Sequence, residues 1–464
     1  MAKDVQPNRA FAAALAESGL SHKRFALNVR GLAQSRGGVV YSDHGSVKRW
    51  LDGVQPKPET AHYIAAAMSD ALRRAITPLT LGFTATLAEE HPEARPVRLD
   101  VEYPQDANIA TTALRSVAGA DLDDASPEQL RTWDIHAAPG VISGYLFGDG
   151  RSELVDAPSD GEAIDATAIR LTTARLMDLD FHVGGGHTRE LLLYYFRSQV
   201  LPMFDALPRG AHRQELFVAT AELAQMLGWS AYDAGRHGAA QRYFVHALRL
   251  AREADDFLLG ARLLSNLSHQ ANYLGHFTHA AQLARAAQSA AARSPSSTTV
   301  SMLLSMEARA LASLGDHRSC AAVLARADSA MDNSNPGADP EWISYFDRAE
   351  LAGEAAHCFR DLRRPEETRR FAALAVAPAD TPPRTRAFIN MVTAMGALTE
   401  GSLDEAVQTA RHAITLAGAL QSSRYRHYVK EFVQVATSLH PRDPDVLELV
   451  TFAAPIIGSP KKSA

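Results

Sequence analysis

A turn motif recurs along the second half of the chain at nearly constant intervals. Gly235, Gly275 and Gly315 are spaced 40 residues apart, and each precedes an alanine-rich segment. Related segments start at Leu362 and Glu400. A fixed period of this length is typical of stacked helical hairpins, because one hairpin cannot bury its apolar face alone. The sequence therefore predicts an all-α protein that contains a solenoid of at least five hairpins.

Small or apolar residues follow the turn at fixed offsets of 5, 9 and 12 positions. They are Ala240, Phe244 and Ala247 in the first copy, Ala280, Ala284 and Ala287 in the second, and Ala406, Ala410 and Ala413 in the last. This pattern resembles the tetratricopeptide repeat over roughly 215–420, although Arg363 replaces the turn glycine in the fourth copy. The resemblance implies a right-handed solenoid whose concave groove binds an extended partner.

Composition shifts divide the chain into four predicted regions. Residues between about 84 and 160 are rich in Pro, Gly and acidic side chains, with helical patterns only at 107–118 and 126–138. Such composition is typical of a connector. The predicted regions are a helical head at 1–83, an irregular, partly helical connector at 84–160, a helical repeat domain at 161–440, and a C-terminal segment with a disordered tail at 441–464.

A run of three glycines at 184–186 separates two apolar-periodic segments upstream of the repeats, and His182 and His187 flank it. Free backbone N–H groups of such a run beside a helix N-terminus can cradle an anion. However, no strand precedes the run and no Lys-Ser/Thr pair follows it, as a phosphate-binding loop requires. A tight turn between two helices and an anion site both remain open for this segment.

The first 60 residues combine short amphipathic helices with positive charge. Nine basic and five acidic side chains give this segment a charge of +4, whereas the whole chain carries −6 and the remainder therefore −10. The sequence predicts a helix over 8–18, a second one from His22 capped by Ser21, and a third near 43–53 capped by Ser42 or Asp43. A small basic head on an acidic body is expected if only the head contacts phosphate.

This head resembles the Cro/repressor-type helix-turn-helix, because Trp50, Gly53 and Pro56 form a Trp-x-x-Gly-x-x-Pro signature after the third helix. The resemblance implies that the third helix enters the major groove and that the second crosses the backbone. The implied DNA contacts are His44, Ser46, Lys48 and Arg49 to the groove, and Lys23, Arg24 and Arg30 to phosphates. The separation of Ala26 and Val47, 21 residues, exceeds the usual ten or so. The alternative is a four-helix cap that does not touch DNA.

No catalytic or metal-binding signature emerges from the sequence. Cys320 and Cys358 cannot build a disulfide framework, and no Cys/His spacing is typical of a zinc site. Nucleophile-elbow, Walker and His-Glu-x-x-His motifs are missing from the sequence. We therefore expect a protein that is not an enzyme, needs no cofactor or metal, does not associate with a membrane, and resides in the cytoplasm at the nucleoid.

The layout resembles the peptide-sensing regulators of Gram-positive bacteria and, more closely, large regulators of actinobacteria. The shared motifs are Thr77-Pro78-Leu79-Thr80-Leu81-Gly82-Phe83, a central Gly-Gly-Gly-His, and Gly-Trp-x-Ala-Tyr-Asp-x-Gly-Arg at 228–236. The resemblance implies a homodimeric transcription regulator of double-stranded DNA, with a peptide, small-molecule or protein effector in the groove. The runner-up function is a tetratricopeptide scaffold for protein–protein interaction that does not bind DNA.

Polar and aromatic residues on the first helices of hairpins are the candidate groove residues. Asn266, His269 and Tyr273 stand at i, i+3 and i+7 and therefore share one helix face. The full candidate set is Tyr194, Arg197, Asn266, His269, Asn272 and Tyr273. An alternative is equally open, in which these Asn and His side chains satisfy hydrogen bonds between hairpins.

Overall fold

The computed structural model describes residues 7–35, 40–72, 76, 78–83, 101–122, 128–148, 166–183, 185–206, 212–294, 296–335, 337, 339–379, 381–418, 420 and 422–457. These residues are almost entirely helical and contain no β-strand. None of the described helices has the length and apolar character needed to cross a membrane. The chain divides into two compact units, a head at 1–98 and a body at 99–464. The prediction of an all-α protein is confirmed.

Four helices and a short 3-10 turn make up the described part of the head. They are α1 Arg9–Ser18, α2 His22–Ser35, α3 His44–Leu51, α4 Pro58–Leu72 and the turn Leu79–Leu81. Asn8 caps α1 by accepting from the Phe11 amide at 3.0 Å, and Gly19 ends it with φ 64°. The Phe11 ring lies 5.2 Å from Phe83 and 6.4 Å from Trp50. Aromatic packing around Phe11 therefore holds the head together.

Hydrogen bonds attach the start of α3 to α2. The Ser42 hydroxyl donates to the Ala26 carbonyl at 2.9 Å, and the Arg30 guanidinium donates to the Ser42 carbonyl. Asp43 caps α3 by accepting from the Ser46 amide at 2.7 Å and from its hydroxyl at 2.9 Å. The segment between the end of α2 at Ser35 and the start of α3 at His44 accounts for much of the unusually long separation of Ala26 and Val47. Residues 36–39, which follow α2, lie outside the described residues.

The described residues of the first part of the body form six helices. They are α5 Ala107–Leu122, α6 Glu128–Arg131, α7 Ala137–Phe147, α8 Ala166–Val183, α9 Gly185–Tyr195 and α10 Leu201–Ala206, with a π-helical turn Phe196–Val200 between the last two. The described helix α9 begins within the glycine run, and Gly184 lies outside the described residues.

Twelve further helices form six antiparallel hairpins in succession. The pairs are α11 His212–Asp233 with α12 His237–Glu253, α13 Phe257–Tyr273 with α14 Phe277–Ala291, α15 Ser297–Ser313 with α16 His317–Asp332, α17 Arg348–Asp361 with α18 Pro365–Ala375, α19 Pro383–Glu400 with α20 Leu403–Ala417, and α21 Ser423–Leu439 with α22 Pro444–Ile457. The sixth hairpin extends past the predicted repeat boundary at 440 into the predicted C-terminal segment. The tail at 458–464 lies outside the described residues.

In the described part of the predicted connector, α5, α6 and α7 pack on the hairpins. The Gln241 side chain on α12 accepts from the Asp134 amide and donates to the Asp134 carbonyl, both at 2.8 Å. A Cβ at Gly238 would lie 2.0 Å from the Gln129 carbonyl oxygen. Leu114 and Leu130 are fully buried in the main core of the body. These residues are an integral layer of the body.

The turns between paired helices explain the recurrence of glycine. Gly235, Gly275, Gly315 and Gly401 all have positive φ, between 76° and 92°. Arg363 occupies the equivalent position of the fourth hairpin and has φ 55°. Backbone of this kind strains any residue with a Cβ. Arg363 therefore keeps the left-handed turn of the fourth hairpin, but its backbone is strained there.

We expect Gly315→Ala and Arg363→Gly to change stability in opposite directions. A Cβ at Gly315 meets nothing within 4 Å, so alanine there introduces backbone strain alone. The strain should lower the free energy of unfolding by about 1 kcal/mol, and its relief at Arg363 should raise it by about 0.5 kcal/mol. Denaturant titration followed by circular dichroism measures both values. Equal shifts of the same sign would contradict the left-handed turn at Arg363.

Candidate functional site

A cavity of about 1270 Å³ lies within the body. Its wall is formed mainly by the first helices of the six hairpins, α11, α13, α15, α17, α19 and α21, with contributions from α8 and the segment 342–346. On α15, Met302, Met306 and Arg309 contact the cavity at i, i+4 and i+7, which is one face of the helix. A volume of this size is ample for a small-molecule ligand.

The row of hairpins closes on itself at Asp233, the last residue of α11. Its carboxylate accepts from Arg384 on α19 at 2.6 Å and from Arg424 on α21 at 2.5 Å. The Ser423 hydroxyl also donates to the Tyr232 carbonyl at 3.4 Å. Burial favours the neutral acid, but the two guanidinium groups outweigh it and hold the pKa of Asp233 below its usual range. We call this group, Asp233 with Arg384 and Arg424, the clasp.

Aromatic side chains line the wall beside the clasp. The Trp229 ring lies 5.4 Å from both Tyr232 and His269, and the Arg424 guanidinium lies 5.0 Å from the centre of Trp229. His269 shares a hydrogen bond of 3.2 Å between its Nδ1 and the Tyr232 hydroxyl. Burial and the nearby Arg309 lower the pKa of His269 well below its usual value. The imidazole is therefore neutral near pH 7.

Charged side chains on the wall are mostly paired with each other. The Arg309 guanidinium lies 2.6 Å from the Glu354 carboxylate, and that of Arg360 lies 2.6 Å from Asp361. Arg262 differs, because it forms no ion pair with any described residue and instead stacks on Trp342, 4.7 Å from the ring centre. Desolvated charges are costly without partners. Arg262 is thus a cation of this wall that has no carboxylate partner among the described residues.

The structure brings together four of the six predicted groove residues. Asn266, His269, Asn272 and Tyr273 all line the cavity. Asn266 is 5% exposed and its Nδ2 has no hydrogen-bond partner among the described residues, and the same holds for Oδ1 of Asn272. The alternative of a hydrogen bond between hairpins applies to His269, whose partner Tyr232 lies on α11. Each of the two asparagines therefore has one side-chain polar atom without a hydrogen-bond partner among the described residues.

The other two predicted groove residues lie elsewhere. Tyr194 on α9 is 68% exposed, and Arg197 is exposed on the π-helical turn that follows. Neither lines the cavity, because α9 packs on α5 and α11 rather than forming the first helix of one of the six hairpins. The structure therefore does not bring them together with the other four candidates.

Sequence reasoning missed several wall residues. They are Asp233, Arg262, Arg309, Trp342, Glu354, Arg384 and Arg424. One signal for Arg309 was available, since it is a charged residue in the otherwise apolar face of α15. No local signal marks the clasp, because its members are separated by 151 and 191 residues in sequence.

The head presents a basic surface at α2 and α3. Lys23 and Arg24 in the first turn of α2 are exposed, as are His44, Lys48 and Arg49 on α3. Ser46 is the exception among the predicted groove contacts. It is only 5% exposed and bonded to Asp43, so the expectation that it points outward is wrong. The capping carboxylate captures this hydroxyl at the third position of the helix.

Arg30 has a structural contact that the sequence did not predict. Its guanidinium donates to the Ser42 carbonyl and thereby ties the segment before α3 to α2. The remaining donors of its planar fork are still on the exposed side of the head. Arg30 therefore positions α3, whether or not it also reaches a phosphate.

These features define an all-helical protein that joins a small basic unit to a ring of hairpins around a ligand-sized cavity. The family model described as the SP15 N-terminal domain matches residues 11–84. The match covers the described helices of the head and none of the body. No curated protein matches the chain. Within the described residues, no group of three His, Cys, Asp or Glu side chains is arranged to hold a metal ion.

Proposed function

We propose that this protein is a sequence-specific DNA-binding transcription regulator of the bacterial cytoplasm. It acts as a homodimer, and an effector in the cavity modulates its binding to DNA. The observation that carries the proposal is the construction of α3. Val47 and Trp50 bury one face of this helix in the head, and His44, Lys48 and Arg49 remain exposed on it. A short helix fixed in this way can enter a major groove.

On this proposal the head is a Cro/repressor-type helix-turn-helix with α3 as the recognition helix. Lys48 and Arg49 then donate to guanine O6 and N7 or to phosphate oxygens, and His44 contacts the groove from the first turn. Lys23 and Arg24 at the start of α2 neutralise phosphates, which positions the head without specifying sequence. The contacts of Ser42 and Asp43 support the assignment, because Ser42 attaches the start of α3 to α2 and Asp43 caps α3.

The body is proposed to be a tetratricopeptide-like, right-handed solenoid that holds the effector. Six successive hairpins and turn residues with positive φ support this assignment. An effector that binds one arrangement of the hairpins better than another shifts the population toward it. In a dimer such a shift changes the separation of the two heads, which must match half-sites about 34–36 Å apart or a multiple of that spacing.

Selection of duplexes from a random pool by the purified full-length chain tests the proposal. We expect one enriched sequence with dyad symmetry, bound by the wild-type protein in a salt-dependent manner. The Lys48→Ala/Arg49→Ala variant should bind that duplex about 100-fold more weakly, because each base contact contributes about 1–3 kcal/mol. Fluorescence anisotropy at fixed salt measures both affinities.

The matched control is Arg318→Ala/Arg326→Ala, which removes the same charge from the exposed surface of α16. It should bind the selected duplex as the wild type does. Equal losses in the two double variants would indicate binding by charge alone. Failure of the wild type to enrich any sequence would contradict the proposal and support the scaffold function instead.

A further inference from the structure

Arg262 places a guanidinium without a carboxylate partner on the cavity wall, which favours an anionic ligand. Its guanidinium faces the cavity from the first turns of α13 and stacks on Trp342. Arg309, Arg360 and Arg424 on the same wall each have a carboxylate partner at 2.5–2.6 Å. The carboxylate of Glu222, which acts on Arg262 electrostatically, is itself bonded to Arg170 at 3.0 Å. Arg262 therefore has no ion-pair partner within the described part of the wall.

The pKa values on this wall agree with the geometry. Burial lowers the pKa of Arg262, and Tyr345 and Glu222 offset this only in part. The pKa of Arg309 is instead raised, because the combined attraction of Glu354, Tyr428 and Asp361 outweighs its burial. A guanidinium always keeps its proton in proteins. The cost of burying Arg262 is thus one that an incoming anion can relieve.

A second unused donor lies one helical turn away. Asn266 is four residues after Arg262, so the two side chains leave α13 on the same face about 5–6 Å apart. The Asn266 Nδ2 is buried and has no partner among the described residues. A guanidinium and an amide N–H beside each other supply donors only. They fit a group with several acceptor oxygens, either a carboxylate or a phosphate.

Apolar and aromatic surface surrounds these donors. Met302 is 4% exposed, the Tyr345 hydroxyl lies 3.4 Å from its sulfur, and Trp342 covers the guanidinium. The flat rings and the flexible thioether suit an aromatic or apolar body beside the anionic group. The clasp closes the ring of hairpins around this space, which favours a compact ligand over a long chain that must thread through it.

We infer that the cavity binds a compact small molecule in which a carboxylate or phosphate is attached to an aromatic or apolar body, with Arg262 and Asn266 holding the anionic group. The inference rests on the proposed function, in which this cavity is the effector site. It adds the chemical class of the effector and names its anchor.

Binding of four naphthalene probes to the full-length chain tests this inference. The probes are 2-naphthoate, 2-naphthyl phosphate, the neutral 2-naphthylmethanol and the cationic 2-naphthylmethylammonium, each titrated by calorimetry. We expect at least one of the two anions to bind ten times more tightly or better than the neutral and cationic probes. The preferred anion distinguishes a carboxylate ligand from a phosphate ligand.

Variants then locate the anion. Arg262→Met should weaken binding of the preferred anion at least tenfold and leave binding of the neutral probe unchanged, and Asn266→Ala should weaken the anion a few-fold. Arg326→Met on the exposed surface of α16 is the matched control and should bind as the wild type does. Since Arg262 has no carboxylate partner, Arg262→Met should melt no lower than the wild type, which separates lost recognition from lost folding.

Three outcomes overturn the inference: no preference for either anion in the wild type, equal binding of the cationic probe, or unchanged anion binding in Arg262→Met. DNA binding of the same preparations separates this inference from the proposed function. Anion binding without any selected duplex refutes the regulator alone. A selected duplex without an anion preference refutes only the ligand class assigned to the cavity.

Discussion

The Asp233→Asn protein is expected to lose about 3–5 kcal/mol of stability in the body, because the substitution leaves two guanidinium groups without their carboxylate. Asp233 is 5% exposed, and Arg384 and Arg424 both bond to it. An asparagine of the same size cannot compensate either charge. Thermal unfolding measures the loss. Hydrogen exchange should show faster opening where α11 ends and where α21 begins, since these segments meet at the clasp.

An exposed ion pair provides the control for this prediction. Asp328 is 66% exposed and lies 3.7 Å from Arg348. Asp328→Asn should change stability by less than about 0.5 kcal/mol, as is usual for surface pairs. An Asp233→Asn protein that is as stable as this control would show that the hairpins do not depend on the clasp for closure. Exchange that increases equally throughout the body would show the same.

The second large effect is expected in the head, from Trp50→Ala. Trp50 is 6% exposed and packs against Phe11, so its removal should cost about 3–5 kcal/mol. The head is small and has its own core. We therefore expect the head to unfold and DNA binding to disappear, while the body keeps its melting temperature and its cavity. Calorimetric scans of the full-length chain resolve the two transitions.

Tyr41→Ala is the matched control for the head. Tyr41 is also an aromatic residue near α3, but it is 91% exposed and contributes no core packing. Exchange protection of α1 and α4 should be the same as in the wild type. A single transition that shifts as a whole in Trp50→Ala would contradict the division into two independent units.

Much of the repeat architecture could be predicted because it is encoded locally. The left-handed backbone at Gly235, Gly275 and Gly315 favours glycine, so this residue recurs once in each hairpin and reveals the period of 40 residues. The alanines after each turn are fully buried, as close helix packing requires. The sixth hairpin was not predicted, because its turn between Leu439 and Pro444 contains no glycine.

Features that depend on distant partners could not be predicted. The residues 101–147 look like a connector by composition, but Gln241, which holds Asp134, lies 107 positions away in sequence. Face periodicity identified Asn266 and Tyr273 on the cavity wall. It could not exclude Tyr194, whose helix is equally periodic but lies outside the ring of hairpins. The prediction for Ser46 missed a local contact, because its hydroxyl donates to the capping carboxylate of Asp43.

Genome-wide occupancy in cells that carry either the wild-type chain or Lys48→Ala/Arg49→Ala is the most direct test of a regulator that reads DNA through α3. We predict a discrete set of occupied sites that share one dyad-symmetric sequence for the wild type. All of these sites should be lost in the double variant at equal protein abundance. The same sites occupied equally by both proteins would contradict the assignment of α3 as the recognition helix.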